Sequence, residues 1–229
     1  MIEQRIADLR AFLEAHDADG AIIVQPENLR YFSGFTGGEG PWSSALIRPY
    51  CGRIPVIRNR PYSSRARGMT SKITQGALAR SIRQSLTDMD LGVAAYEENF
   101  MTHYLYEAIA DGALCGFLPC DMTGLRAVKE SYELEATRKA SQIADQAFSD
   151  LLPYIKPGVT EKEMAARLES NMLLLGSEEK SFTTIVASGK RSAMPHGTAS
   201  PKVIEKGDFV TFDFGAVWDG YHSDITRTV

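Results

Sequence analysis

Two runs of strand-forming residues flank an Asp219-Gly220 dipeptide near the end of the chain, and this pattern restricts the fold more than any other. Asp-Gly between such runs favours a two-residue hairpin turn, which would pair Trp218 with Tyr221. In the run before the turn, Val210, Phe212 and Phe214 share one parity, and Phe209, Thr211, Asp213 and Gly215 share the other. The sequence therefore predicts two antiparallel strands whose side chains alternate between two faces.

Two acids, Asp213 and Asp224, lie on opposite sides of this turn. With Asp219-Gly220 as the loop, Asp213 pairs with Thr226, and Asp224 lies two residues before Thr226 on the same face. With Trp218-Asp219 as the loop, the two acids are directly opposed. Either register brings the two carboxylates close together, where they repel each other unless a positive charge lies between them.

Two interpretations of this acid pair stay open. The carboxylates are solvated on an exposed strand face, or they bind a divalent metal through their oxygens. The run leading into Asp213 is largely apolar, which predicts a buried strand, and a buried unpaired carboxylate is very costly. The sequence therefore favours a metal site at Asp213 and Asp224.

The composition of the whole chain excludes several classes of protein. A length of 229 residues predicts one or two domains, and a net charge of −4 gives no overall signal for nucleic acid. No apolar run has the length of a membrane span, and the N-terminus begins as an amphipathic helix, unlike a signal peptide. Three cysteines in no metal-binding spacing argue against a disulfide scaffold. We therefore expect a cytoplasmic protein that binds neither membranes nor nucleic acid.

Local patterns predict an α/β domain at the start of the chain. A helix begins at Ile2 and ends by Gly20, a buried strand follows at 21–24, and 26–40 is rich in turns. Further along, the patterns predict a strand near 91–96, a helix at 98–110 and a turn at 116–124. They then predict a helix at 131–152, with core-facing residues Leu134, Ile143, Ala147 and Phe148. A capping box at 160–163 begins the next helix, Gly176 ends it, and a strand follows at 182–187. We place the domain boundary in the turn, which gives domains at 1–122 and 123–229.

Residues 40–87 differ in composition from the rest of the chain. They contain no Asp or Glu and nine Arg or Lys, and prolines at 49, 55 and 61 interrupt any long helix or strand. The part at 45–85 is therefore atypical for the domain. Three interpretations stay open: a basic arm that binds nucleic acid, a divergent and solvated part of the first domain, or a stretch in which the coding frame is shifted and later restored. The absence of a stacking pattern or a known motif argues against the basic arm.

Two histidines lie near the predicted metal hairpin. His196 follows a strand in a Pro-His-Gly loop, where it can hydrogen-bond a substrate carbonyl or shuttle a proton, although an isolated loop histidine is more often simply exposed. His222 shares the parity of Asp224, but its place two residues after the turn favours a solvated side chain over a metal ligand.

The sequence resembles the Xaa-Pro peptidases, that is aminopeptidase P and prolidase, of the pita-bread metallopeptidase fold. The resemblance is carried by 182–197 (FTTIVASGKRSAMPHG), 207–216 (GDFVTFDFGA) and 220–228 (GYHSDITRT), with 125–129 (LRAVK) and 156–161 (KPGVTE) at the start of that domain. Residues 28–31 (NLRY) and 33–35 (SGF) resemble the creatinase-type domain that precedes it. The expected architecture is thus an α/β creatinase-like N-terminal domain followed by an incomplete α+β pita-bread catalytic domain.

The resemblance implies a function and roles for three residues. Asp213 and Asp224 would be ligands of two divalent metal ions, Mn²⁺ or Co²⁺, with Asp224 bridging them. His196 would be the catalytic histidine that contacts the peptide near the scissile bond. The implied reaction is hydrolysis of the bond between an N-terminal residue and proline in a proline-containing peptide. The resemblance also allows a homodimer.

The sequence departs from the family in its ligand set. The family supplies a further His and two Glu from later positions, and this sequence ends at Val229. We therefore expect the 229-residue chain alone to have little or no peptidase activity. Two alternatives to the peptidase stay open: a non-catalytic binding module of the same fold, and a creatinase-like hydrolase that cleaves a C–N bond in a small non-peptide substrate.

Overall fold

The computed structural model describes residues 2–34, the backbone of 45–47, and residues 75–229, with side chains of the last range from residue 78 onward. The chain divides into two compact units, residues 1–128 and residues 129–229. Within the described residues, none of the helices combines the length and the apolar character needed to cross a membrane.

The first unit is built on a four-stranded sheet with helices between the strands. Its elements are α1 (Ile2–Ala15), β1 (Gly20–Ile23), α2 (Pro26–Ser33), β2 (Ala45–Ile47), α3 (Gln75–Asp88), β3 (Val93–Glu97), α4 (His103–Ala110) and β4 (Gly116–Cys120). The strand order is β2-β1-β3-β4, with β1, β3 and β4 parallel and β2 antiparallel to β1. Parallel strands joined by helices form the α/β architecture that the sequence predicts.

Helices cover both faces of this sheet. Along β1, Ala21 and Ile23 pack into one apolar cluster together with residues of α1 and α2. Ile22 packs into a second cluster with residues of α3 and α4. All four residues of β1 are buried, as expected for a strand with helices on both faces.

A buried carboxylate ties β3 to the start of α2. The Glu97 carboxylate accepts hydrogen bonds from the backbone nitrogens of Val24 (2.6 Å) and Gln25 (2.8 Å) and from Asn28 Nδ2 (2.6 Å). Burial raises the pKa of the Glu97 carboxyl above its ordinary value, and these hydrogen bonds only partly offset that effect. This contact holds the carboxyl end of β3 against the first turn of α2.

Two predictions for the first unit are wrong in detail, and one of the open interpretations of the basic stretch fails in part. The turn predicted at 116–124 is strand β4 over most of its length, and the turn-rich stretch at 26–40 begins with helix α2. The end of the basic stretch forms α3, whose Ala79, Ile82 and Leu86 are buried, so this part is not solvated. The remainder of the atypical stretch, apart from the backbone of β2, lies outside the described residues.

The second unit packs two helices against an antiparallel sheet. Its elements are α5 (Ser131–Leu151), α6 (Glu161–Leu174), β5 (Ile185–Ser188), β6 (Val210–Phe214), β7 (Val217–Trp218), β8 (Tyr221–His222) and β9 (Ile225–Thr228). The strand order is β5-β6-β9, and β7 and β8 form a separate hairpin. The Phe148 ring of α5 contacts the rings of Phe212 and Phe214 on β6, with centroids 5.4 and 5.5 Å apart.

The ends of these helices follow the sequence signals closely. Both halves of the capping box predicted at 160–163 are present, since Thr160 and Glu163 each bond the other's backbone nitrogen. Gly176 follows α6 in the left-handed region, with φ 99°. Ile143, Ala147 and Phe148 are buried as predicted, but Leu134 is 49% exposed, so its predicted place in the core is wrong.

Candidate functional site

The predicted hairpin turn is present with a two-residue loop. Asp219 (φ 48°) and Gly220 (φ 66°) both have positive φ, which is the geometry of a type I′ turn. Trp218 pairs with Tyr221 across the loop. The Gly220 nitrogen also donates to the Glu178 carboxylate at 3.2 Å. This is the first of the two predicted registers.

The same register continues into β6 and β9 and fixes the place of the two acids. Asp213 pairs with Thr226, whose hydroxyl donates to Asp213 Oδ1 at 3.0 Å. Asp213 is half-buried, between the fully buried Phe212 and Phe214. Asp224 is exposed and immediately precedes β9. The structure thus places Asp213 on β6 and Asp224 directly before β9, diagonal to each other across the strand pair.

A close backbone approach lies between Asp213 and Asp224. A Cβ added at Gly215 would lie 1.9 Å from the carbonyl oxygen of Ser223, so no other residue fits there without a shift of the backbone. The Ser223 nitrogen donates to the Ala216 carbonyl (2.9 Å), and the Ala216 nitrogen donates to Ser223 Oγ (3.0 Å). Gly215 therefore allows the segment that carries Asp213 to approach the segment that carries Asp224.

The far end of the hairpin is anchored to α5. The Tyr221 hydroxyl donates to Glu133 Oε1 at 2.8 Å, and the hydroxyls of Tyr221 and Tyr132 are 3.3 Å apart. Glu133 is buried, and its other oxygen accepts the backbone nitrogen of Glu130 at 2.8 Å. Burial, followed by these two side-chain contacts, raises the pKa of the Tyr221 hydroxyl strongly.

His196 lies in the loop that connects β5 to the next part of the unit. Its side chain is exposed, and its backbone has φ 59°, a conformation that non-glycine residues adopt infrequently. The Thr198 nitrogen donates to the His196 carbonyl at 2.8 Å and closes a tight turn. His222 is exposed on the hairpin, in agreement with its predicted solvation.

The loop that carries His196 is attached at its base to a buried carboxylate. Glu161, at the start of α6, has 0% of its surface exposed and accepts hydrogen bonds from Ser188, Arg191 and Ser200. Burial by itself would raise the pKa of the Glu161 carboxyl, but the hydrogen bonds from Ser200 and Ser188 outweigh burial and hold the pKa below its ordinary value of 4.5. Glu161 is therefore a carboxylate at neutral pH.

Asp213 and Asp224 have side chains of the type that binds a divalent cation, but the described residues supply only a few such ligands. Carboxylate oxygens are the ligands that hard divalent ions prefer. Across the residues with described side chains, no three His, Cys, Asp or Glu side chains are grouped so that they could hold a metal ion. Asp213 and Asp224 are thus a partial ligand set, and their assignment stays a prediction.

Two contacts near these residues were not predicted from the sequence. Glu161 falls within the capping box that the sequence indicates, but its partners Ser188 and Ser200 lie 27 and 39 residues further on. Tyr221 and Glu133 are 88 residues apart. No local pattern connects residues at such separations, so only the folded structure identifies them.

The two-unit fold is that of a creatinase-like domain followed by a metallopeptidase-type unit, and comparison with known proteins agrees. Residues 5–128 match the Creatinase/Prolidase N-terminal domain, and residues 135–229 match metallopeptidase family M24. The chain therefore belongs to this family of metallopeptidases with a creatinase/prolidase N-terminal domain. The resemblance predicted from the sequence is confirmed, and so is the predicted fold class.

Similar proteins include named peptidases from bacteria and archaea. The chain is 36% identical over 233 residues to the uncharacterized peptidase YqhT of Bacillus subtilis, covering 98% of this chain and 64% of that protein. It is 30% identical over 245 residues to a Xaa-Pro dipeptidase of Pyrococcus furiosus, covering 100% of this chain and 65% of that protein. Among solved structures, a Xaa-Pro dipeptidase from Bacillus anthracis has a TM-score of 0.85 and 34% identity, covering 100% of this chain and 65% of that one. The chain thus spans slightly less than two thirds of the length of these relatives.

Proposed function

We propose that the function of this protein is metal-dependent hydrolysis of the peptide bond between an N-terminal residue and proline. The observation that supports the proposal is the hairpin register, in which Asp213 lies on β6, Asp224 directly precedes β9, and the constrained Gly215 follows Asp213 by two residues. Relatives named as Xaa-Pro dipeptidases, in sequence and in structure, support the substrate class.

In this proposal Asp213 and Asp224 hold divalent metal, Mn²⁺ or Co²⁺, as part of a site for two ions. Thr226 orients Asp213 by its hydrogen bond to Oδ1, and since the described residues donate no hydrogen bond to Oδ2, that oxygen can contact a cation. Asp224 is exposed and can change rotamer to meet the same ion. When bound, the metal would act as a Lewis acid on the peptide carbonyl.

His196 is proposed as the catalytic residue that contacts the peptide. Its exposed imidazole can donate a hydrogen bond to a substrate carbonyl or shuttle a proton during the reaction. The left-handed backbone at His196 fixes the direction in which the side chain leaves the loop. Such conformations are frequent at binding sites, where the surrounding structure maintains them.

The first test measures metal binding by the 229-residue chain. Mn²⁺ is titrated with protein and the spectrum of free aqueous Mn²⁺ is followed by electron paramagnetic resonance. We expect binding that is lost in Asp213→Asn and Asp224→Asn and kept in Asp150→Asn, which removes an exposed acid on α5. Unchanged binding in both hairpin variants would exclude these acids as ligands.

The second test compares substrates. Xaa-Pro dipeptides, longer peptides with proline in the second position, the same peptides with alanine in that position, and creatine are each incubated with the chain and Mn²⁺ or Co²⁺. We expect little or no turnover by the chain alone, because two carboxylates are few ligands for a hard cation. Any turnover should require proline; cleavage of creatine alone would instead support the creatinase-like alternative.

The same proposal includes a cytoplasmic location and a homodimer. Light scattering on the purified chain gives the assembly state directly, and a mass equal to one chain at all concentrations tested would exclude the dimer. Cell fractionation with an antibody to the chain tests the location.

A further inference from the structure

Within the described part of the chain, the Glu161 carboxylate receives its hydrogen bonds from residues outside its own helix. Oε1 accepts from the Ser188 nitrogen (2.7 Å) and Ser188 Oγ (3.0 Å). Oε2 accepts from the Ser200 nitrogen (3.0 Å), Ser200 Oγ (2.6 Å) and Arg191 Nε (3.2 Å). The start of α6 is capped separately by Thr160 and Glu163, so the carboxylate is not needed to cap the helix.

Ser188 and Ser200 flank residues 189–199, which we call the His196 loop. One side chain therefore holds both ends of the loop. Arg191 extends the contact into the loop, because its Nη2 donates to the Thr198 carbonyl at 2.7 Å while its Nε faces Glu161. The Thr198 nitrogen in turn donates to the His196 carbonyl at 2.8 Å. A continuous series of hydrogen bonds thus leads from the buried carboxylate to the His196 backbone.

The charges around Glu161 alternate in sign. Arg191 forms an ion pair with Glu161 at 3.2 Å, and Lys202 donates to Ser188 Oγ (2.9 Å) and to Asp208 Oδ2 (2.6 Å). Since Lys202 can only donate, Ser188 Oγ accepts from it and directs its own proton to Glu161. A fully buried carboxylate is costly unless it is paired and hydrogen-bonded in this way, and such networks hold their members in one arrangement.

We propose that Glu161 is the positioning residue of the His196 loop. Its hydrogen bonds hold both ends of the loop and thereby determine the position of the His196 imidazole. This inference rests on the proposed role of His196 in contacting the peptide. Glu161 itself lies buried beneath the loop and acts through Ser188, Arg191 and Ser200. Loss of the Glu161 charge should make the His196 loop mobile while the rest of the second unit stays folded.

The experiment compares Glu161→Gln with Glu163→Gln, which removes a carboxylate from the same helix turn but from the capping box. Trypsin cleavage after Lys190 and Arg191 is measured by mass spectrometry under native conditions, and urea unfolding gives the change in global stability. In Glu161→Gln we expect cleavage in the loop to rise at least about tenfold more than cleavage at sites in α5 and α6, since one or more hydrogen bonds to a charged group are lost. In Glu163→Gln we expect the rates of cleavage in the loop and in α5 and α6 to change by the same factor.

A second measurement reports on the imidazole itself. The ring resonances of His196, assigned with His196→Ala, should move or broaden in Glu161→Gln, while those of His222 on the hairpin stay in place. If Glu161→Gln does not fold, Ser200→Ala replaces it, because this variant removes a single donor to Oε2 and should give a smaller effect of the same kind. Cleavage that rises equally at all sites, or unchanged His196 resonances in a folded variant, would overturn the inference.

A third measurement separates this inference from the proposed function. Binding of a Xaa-Pro dipeptide in the presence of Mn²⁺ is compared for the unmodified chain and His196→Ala. If His196→Ala binds the dipeptide unchanged, the proposed role of His196 fails even where Glu161→Gln releases the loop. If His196→Ala weakens binding but Glu161→Gln leaves the loop closed, the positioning role fails and the function stands.

Discussion

The Tyr221 hydroxyl donates a 2.8 Å hydrogen bond to the buried carboxylate of Glu133, joining the β7–β8 hairpin to the first turn of α5. The hairpin strands β7 and β8 are only two residues long each, and so short a pair has little stability by itself. The contact to Glu133 supplies an anchor at the end that is furthest from Asp213. We infer that the orientation of the whole hairpin depends on it.

Replacement of Tyr221 by Phe tests this anchor. The variant keeps the ring but leaves the Glu133 carboxylate without its phenolic donor, which should lower the free energy of unfolding by about 1–3 kcal/mol. Urea unfolding monitored by circular dichroism measures the change. Tyr154→Phe is the matched control, because Tyr154 stacks on Arg167 through its ring and should tolerate loss of its hydroxyl. Equal stability of the two variants would show that the hydroxyl contact does not anchor the hairpin.

Replacement of Gly215 by Ala tests the close approach of the two acidic segments. The added methyl would meet the Ser223 carbonyl group, so the backbone must move, and we expect destabilisation of about 3 kcal/mol or more. Gly124→Ala is the control, since a Cβ there meets no atom within 4 Å. Thermal unfolding followed by calorimetry compares the two. A Gly215→Ala variant as stable as the control would mean that the strands can separate freely at this point.

Local chemistry explains which parts of the fold the sequence predicts correctly. The hairpin register follows from two adjacent residues, Asp219 and Gly220, that tolerate positive φ, and the capping box at α6 is complete within four residues. The burial of alternate residues in β6 follows from strand periodicity alone. These signals need no knowledge of distant parts of the chain.

The wrong predictions have equally specific causes. Gly116 and Pro119 suggest a turn, but β4 lies at the edge of the sheet formed by the described strands, and proline is tolerated in an edge strand because one side needs no ladder hydrogen bonds. Pro26 suggests a loop, but it occupies the first turn of α2, and Gly34 closes that helix with φ 71°. The same residue types mark helix ends and strand edges as well as turns, and tertiary context decides between them.

Metal should stabilise the second unit if Asp213 and Asp224 bind it. At a Mn²⁺ concentration ten times the dissociation constant, linkage predicts a gain of about 1.4 kcal/mol in the free energy of unfolding. Differential scanning fluorimetry across a Mn²⁺ series measures the gain, and a chelator should reverse it. In Asp213→Asn the melting temperature should no longer respond to Mn²⁺. A response that persists in this variant would place the ion elsewhere on the chain.

The stability of the second unit should depend on pH through Glu161. Its pKa in the folded protein lies below the ordinary value of 4.5, so its contribution to stability is present above that pH and is lost as pH falls through the lowered pKa. Glu161→Gln should therefore be less stable than the unmodified chain at pH 7, by about 3 kcal/mol, because the buried side chain loses its charge and its ion pair with the half-buried Arg191. The difference should shrink as the pH is lowered below 4.5.

Comparison of two variants isolates this effect from other acids, including Glu97, whose raised pKa acts in the opposite direction. Urea unfolding is measured at several pH values between 7 and 3.5 for the unmodified chain, Glu161→Gln and Glu205→Gln. Glu205 has an exposed carboxylate without a hydrogen-bond partner among the described residues, so its substitution should change stability little at any pH. A stability difference for Glu161→Gln that stays constant down to pH 3.5 would contradict the prediction, because it would mean that the Glu161 carboxyl has the same pKa in the folded and the unfolded chain.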